Sequence, residues 1–85
     1  MRNIRIHLQP GLKRYFQSGI RTGGFLQACL ENDPLGALNR AADQPTRENI
    51  PQIFEFLENR APAESWGSPE KVEAWIKQGG EAGRE

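Results

Sequence analysis

This chain has little of what enzymes and metal sites are built from, because its 85 residues include one cysteine, Cys29, and one histidine, His7. One cysteine cannot form a disulfide within the chain, which is typical of a reducing compartment. A structural zinc site needs about four nitrogen or sulfur ligands, which this pair cannot supply. The composition alone allows a catalytic Cys–His dyad. However, the residues beside Cys29 are apolar, which favours a cysteine that is buried as a small hydrophobic side chain over a reactive thiol. We therefore expect no enzymatic activity, no metal and no cofactor.

Long apolar runs are also missing. No stretch approaches the roughly 20 apolar residues that span a bilayer, and the basic start is not followed by an apolar segment with a small-residue cleavage site. We expect a cytoplasmic protein that does not enter membranes. The net charge is zero, yet residues 1–47 carry seven basic and three acidic side chains, and residues 48–85 carry four and eight. This asymmetry indicates either a binding face or two halves that attract each other on folding.

What the chain does have is a series of helix starts and stops. In Asp33-Pro34-Leu35 and in Ser68-Pro69-Glu70, an oxygen acceptor precedes proline at a first helical position. Glycines that end helices follow at Gly19 and Gly79. Apolar residues at helical spacing then predict five short helices, over residues 10–18, 25–30, 34–42, 50–59 and 69–78. The N-terminal cap of the fourth helix is either Thr46 or Asn49.

The predicted fold class is all-α, an irregular bundle of about five short helices with an extended N-terminal arm. The arm comprises residues 1–9, the helical domain residues 10–78, and a flexible tail residues 79–85. Ile4, Ile6 and Leu8 alternate with polar residues, and we expect them to lie on the helices; strand pairing with the arm of a second copy is the alternative. The apolar face of each helix is expected to be buried, including Leu35 and Leu38 of the third helix.

Three patterns in the sequence contain residues that could form a chemical site. Arg21-Thr22-Gly23-Gly24 could bind an anion before a helix, but it lacks the Lys-Ser/Thr of a phosphate loop and is typical of a turn. The second and third helices could form a helix-turn-helix, although only Asn39 and Arg40 could then contact base edges. The carboxylate pairs of the last two helices, spaced three residues apart, are typical of solvated faces.

A protein-binding surface is the interpretation we favour for the polar and aromatic residues that remain. The basic face of the first helix and a partly exposed tryptophan would contact the partner. The candidate partner-binding residues are Arg2, Arg5, Lys13, Arg14, Arg21 and Trp66. The alternative is a nucleic-acid-binding protein that uses the same basic N-terminal half.

Several segments of the chain resemble small proteins encoded by phages and prophages. These are the run from Ile20 to Asp33, the run from Ala37 to Asp43, and Ala61-Pro62 followed by Trp66 to Ile76. The resemblance implies an accessory role inside an infected or lysogenic bacterium, in which such proteins often bind and inhibit host proteins, including defence complexes. It names no catalytic or binding residue. The expected partner is a host or phage protein, with a homodimer as a further expectation and nucleic acid as the rival.

Overall fold

A computed structural model describes residues 3–84, so the candidate residue Arg2 lies outside the described part. The α-helices are α1 (Gln9–Ser18), α2 (Gly24–Leu30), α3 (Pro34–Arg40), α4 (Gln44–Glu48), α5 (Ile50–Arg60) and α6 (Pro69–Gln78). Turns of 3-10 helix cover Ile6–Leu8, Ala63–Ser65 and Glu81–Arg84. No strand occurs within residues 3–84. The prediction of an all-α bundle of about five helices is confirmed, with α4 and α5 separated by Asn49 alone.

The helix starts read from the sequence are confirmed in atomic detail. The Asp33 carboxylate accepts a hydrogen bond from the Gly36 N–H at 3.0 Å, and the Ser68 hydroxyl accepts one from the Lys71 N–H at 3.2 Å. Each bond satisfies one of the N–H groups that the first turn of a helix leaves without a partner. Gly19 ends α1 in the left-handed conformation at a φ of 69°.

The fourth predicted helix begins at Ile50, as predicted, but an additional short helix, α4, precedes it. Asp43, which was not considered as a cap, accepts a hydrogen bond from the Thr46 N–H at 2.9 Å and begins α4. The bonds that the Asp43 carboxylate accepts from Thr46 lower its pKa. Asn49 does occupy the position before α5, but its side chain makes no cap bond there. Its amide binds the N-terminal arm instead.

Tyr15 of α1 and Trp75 of α6 meet in the core. Tyr15 and Trp75 are both fully buried; the Trp75 indole N–H donates to the Tyr15 carbonyl at 3.0 Å, and the Tyr15 hydroxyl donates to the Ser65 carbonyl at 2.6 Å. Because the polar atoms of both rings have partners, the rings are buried without leaving an unpaired polar atom. The other fully buried large side chains are Leu12, Cys29, Leu30, Ile53, Leu57 and Val72.

The prediction for α3 is wrong about which side is buried. Leu35 is 74% exposed and Leu38 is 46% exposed, whereas Ala37 has no exposed surface. Helix α3 packs mainly against α2. Its contact side carries a small residue, which allows two helix backbones to approach closely. The two leucines therefore lie on the outer side of this short helix.

The N-terminal arm is also more folded than predicted. Only Ile4 is fully buried; Ile6 is 83% exposed and forms a 3-10 turn with the residues up to Leu8. Side-chain amides hold residues 3–5, since Asn49 accepts a hydrogen bond from the Arg5 N–H at 2.9 Å and donates one to the Asn3 carbonyl at 2.7 Å. The arm thus lies on the bundle through these amide hydrogen bonds and through Ile4 and Leu8, which pack on the core as expected, whereas Ile6 does not.

The segment assigned to a flexible tail forms a 3-10 turn against α1 over Glu81–Arg84. Arg84 lies 5.1 Å from the centre of the Trp75 ring and pairs with Glu64. Gly80 is buried at a φ of 69°, and a Cβ on it would stand 2.6 Å from the Gly19 nitrogen. Only a glycine allows the chain to pass this closely over the end of α1.

Candidate functional site

The candidate partner-binding residues differ in how much of each side chain is available to a partner. Arg21 is committed to an ion pair: its two terminal nitrogens lie 2.8 and 3.0 Å from the two carboxylate oxygens of Glu73 on α6. This pairing raises the pKa of Arg21 and lowers the pKa of Glu73. The two-pronged geometry ties the turn between α1 and α2 to α6. Arg21 is therefore part of the scaffold.

Arg5 is half-buried where the arm meets α4 and α5. Its main-chain N–H is bound by Asn49, and its positive charge lies close enough to Asp43 to contribute to the lowered pKa of that carboxyl. The open depression beside Arg5 is also lined by Pro45 and Glu48. A mixed set of charges in a shallow depression gives no preference for a ligand of either sign.

Lys13 and Arg14 lie side by side on the exposed face of α1, as predicted. With Phe16, Gln17 and Ser18 they line a shallow groove of about 440 Å³. Neither cation forms an ion pair with any residue in the range 3–84. Phe16 is half-buried and contacts Tyr15 edge to face at 5.4 Å between ring centres, so its ring is held in place. The Phe16 ring thus forms a rigid apolar wall, and the two positive charges beside it are unpaired within residues 3–84.

Trp66 is the partly exposed tryptophan, and Trp75 is the buried one. The Trp66 ring meets Phe54 edge to face at 6.2 Å, which anchors the 3-10 segment between α5 and α6. A depression of about 300 Å³ beside it is lined by charges of both signs, Glu58 and Lys71. A structural role accounts for Trp66, with one edge of the ring left for contact.

Among the candidates that lie within residues 3–84, the structure brings together only Lys13 and Arg14, in one groove with Phe16. Sequence reasoning missed the exposed Leu35 and Leu38 because it assigned them to the core. The signal that could have found them is the neighbouring Gly36-Ala37 pair, since small residues on a helix mark the side that packs most closely.

The two side chains that a Cys–His dyad would need differ in exposure. Cys29 is buried, and burial raises the pKa of its thiol to about 12, which opposes formation of a thiolate. His7 is exposed on the arm. Across the described range, no three histidine, cysteine, aspartate or glutamate side chains come together as a metal site. None of the helices described is both long and apolar enough to cross a membrane.

Comparison with known proteins gave no relative: neither a protein-family model, a curated protein nor a solved structure matches this chain.

Proposed function

We propose that this chain is a non-enzymatic accessory protein of phage or prophage type that acts by binding another protein. The observation that carries the proposal is the outer face of α3, where Leu35 and Leu38 are exposed on a helix that Asp33 caps and α2 supports. Large apolar side chains placed together on a fixed helix are typical of surfaces that a partner covers.

The exposed residues of α3 also favour a protein partner over a nucleic acid. In a helix-turn-helix built from α2 and α3, α3 would have to offer polar groups to base edges. Its exposed residues include two leucines, with Asn39 and Arg40 as the polar neighbours. Arg21 is neutralised by Glu73, which further reduces the positive charge available to phosphates. A protein partner therefore fits this surface better than a nucleic acid.

The setting we propose is the cytoplasm of an infected or lysogenic bacterium, with a host or phage protein as the partner. Binding to a host protein, including a component of a defence complex, would inhibit it by occupying its surface. Self-association through α3 is a second form of the same proposal, because two copies could cover each other's leucines.

The test compares the wild-type protein with a variant that changes both Leu35→Gln and Leu38→Gln. Both side chains are exposed, so the variant should fold, which circular dichroism checks. The control is Ile6→Gln, which changes an aliphatic side chain of similar exposure outside α3. We expect tagged wild-type and control proteins to retain a stoichiometric host protein, or to dimerise in sedimentation, and the double variant to do neither. Equal behaviour of all three proteins would refute the role of α3.

The rival, a nucleic-acid-binding protein, makes a different prediction about salt. Binding driven by phosphates weakens steeply as salt concentration rises, whereas binding through leucines does not. A gel-shift titration with single- and double-stranded DNA and with RNA at low salt provides the measurement. A shift that the Leu35 and Leu38 changes leave intact, and that salt abolishes, would favour the rival.

A further inference from the structure

A second surface, the groove on α1, has features that specify the chemistry of what binds it. Its residues, Lys13, Arg14, Phe16, Gln17 and Ser18, include two cations and no carboxylate. It is an open, shallow groove of about 440 Å³, which suits a segment of a partner's surface better than an enclosed small molecule. The long stems of the basic side chains and the Phe16 ring supply its apolar part.

The Phe16 ring, which forms the wall of this groove, is held in place by two other aromatic rings. Phe16 contacts Tyr15, which is fully buried, and it also contacts Phe56 of α5 at 6.0 Å between ring centres. A ring held on both sides loses little side-chain freedom when a partner binds it. The positive charges of Lys13 and Arg14 are unpaired within the described part of the chain, so a partner would not have to break an ion pair.

We infer that this groove binds an acidic segment of a partner protein, one that places an apolar side chain against Phe16 and carboxylates beside Lys13 and Arg14. The inference rests on the proposed function, since it names the chemistry of a second contact with a protein partner. Charge complementarity indicates that the partner segment is negatively charged, because the residues lining the groove include two cations and no carboxylate.

A nucleic acid is the less suitable occupant. Two adjacent cations neutralise few phosphates, and affinity for nucleic acid grows with the number of phosphates neutralised. The net charge of the whole chain is zero, so the overall charge of the protein does not attract phosphates. A peptide needs only a few opposite charges when an apolar side chain is buried beside them.

The test begins with selection of random displayed peptides on the wild-type protein, followed by synthesis of the enriched peptide with a fluorescent label. We expect enriched sequences to combine Asp or Glu with Leu, Phe or Trp. Anisotropy titrations then compare Arg14→Glu and the double variant Lys13→Glu, Arg14→Glu with Arg47→Glu. Arg47 is an exposed cation on α4 and matches the charge change of the single variant. The groove variants alter exposed residues and should keep the wild-type thermal transition.

The expected result is that affinity falls about tenfold in the double variant and by less than about twofold in Arg47→Glu. Enriched peptides without acidic residues, no enrichment at all, or equal affinity for all variants would overturn the inference. Tight binding of a labelled oligonucleotide that displaces the peptide would overturn it in favour of nucleic acid. If the Leu35 and Leu38 changes abolish capture of the host protein but the groove variants do not, the groove inference fails while the proposed function stands.

Discussion

The hydrogen bond between Tyr15 and Ser65 offers a direct test of how the core is held together. Tyr15→Phe keeps the buried ring and removes only the hydroxyl, which donates to the Ser65 carbonyl at 2.6 Å across fifty positions of sequence. Because Ser65 is fully buried, water cannot replace the lost donor. The variant therefore leaves a buried carbonyl without this partner.

The expected cost follows from that unmet acceptor. Leaving a buried polar group unsatisfied costs about 1–3 kcal/mol in the free energy of unfolding. A domain of this size has a total stability of about 4–13 kcal/mol, so the loss is a substantial share. At about 4–8 °C for each kcal/mol, the thermal midpoint should fall by about 4–24 °C.

Urea unfolding, followed by the fluorescence of the two tryptophans, measures the change. The matched control is Ser65→Ala, which removes the hydroxyl bond to the Pro62 carbonyl at 2.7 Å. That carbonyl still accepts the Ser65 N–H at 3.0 Å, so this variant should lose less stability than Tyr15→Phe. The reasoning is refuted if Tyr15→Phe unfolds within about 0.5 kcal/mol of wild type, or if Ser65→Ala is the costlier change.

Two further predictions concern pH and backbone geometry. Burial raises the pKa of Cys29 to about 12 and raises the pKa of Tyr15 above its usual range, so the unfolded chain releases these protons at lower pH than the folded chain. The contribution of these two groups to the free energy of unfolding should be fully present below about pH 8.5 and should be lost as the pH rises towards 12. The urea midpoint at several alkaline pH values measures this loss, and a constant midpoint would contradict the prediction. Gly80→Ala should lower stability by about 2–4 kcal/mol, because a Cβ would collide with the backbone at Gly19 in a left-handed conformation. Gly23→Ala, at a φ of −69° and with no atom within 4 Å of its Cβ, is the control, and an equal cost in thermal unfolding of both variants would refute the argument.

The parts of the fold that sequence could predict are those decided within one turn of helix. The caps at Asp33 and Ser68 depend on an acceptor and an N–H three residues away, and both are where the sequence predicts them. The stop at Gly19 is likewise a local matter of backbone conformation.

The parts that sequence could not predict depend on distant neighbours. The outward position of Leu35 follows from the close packing of α3 on α2, since a single helix does not specify which side meets its neighbour. Arg21 looked like a free cation because Glu73, its partner, is fifty-two positions away. Lys13 and Arg14 are different because they are neighbours on one helix, so their spacing alone is enough to place them in one groove.

The contact between Tyr15 and Trp75 has a consequence for how the chain folds during synthesis. The Tyr15 carbonyl accepts both the Gly19 N–H that ends α1 and the Trp75 indole N–H sixty positions later. Closing so long a loop makes folding slower than in a bundle whose contacts are all local. A nascent chain that stops short of α6 lacks the residue that covers α1. We therefore expect the fold to be completed only after Trp75 has been synthesised and can reach Tyr15, in one cooperative step.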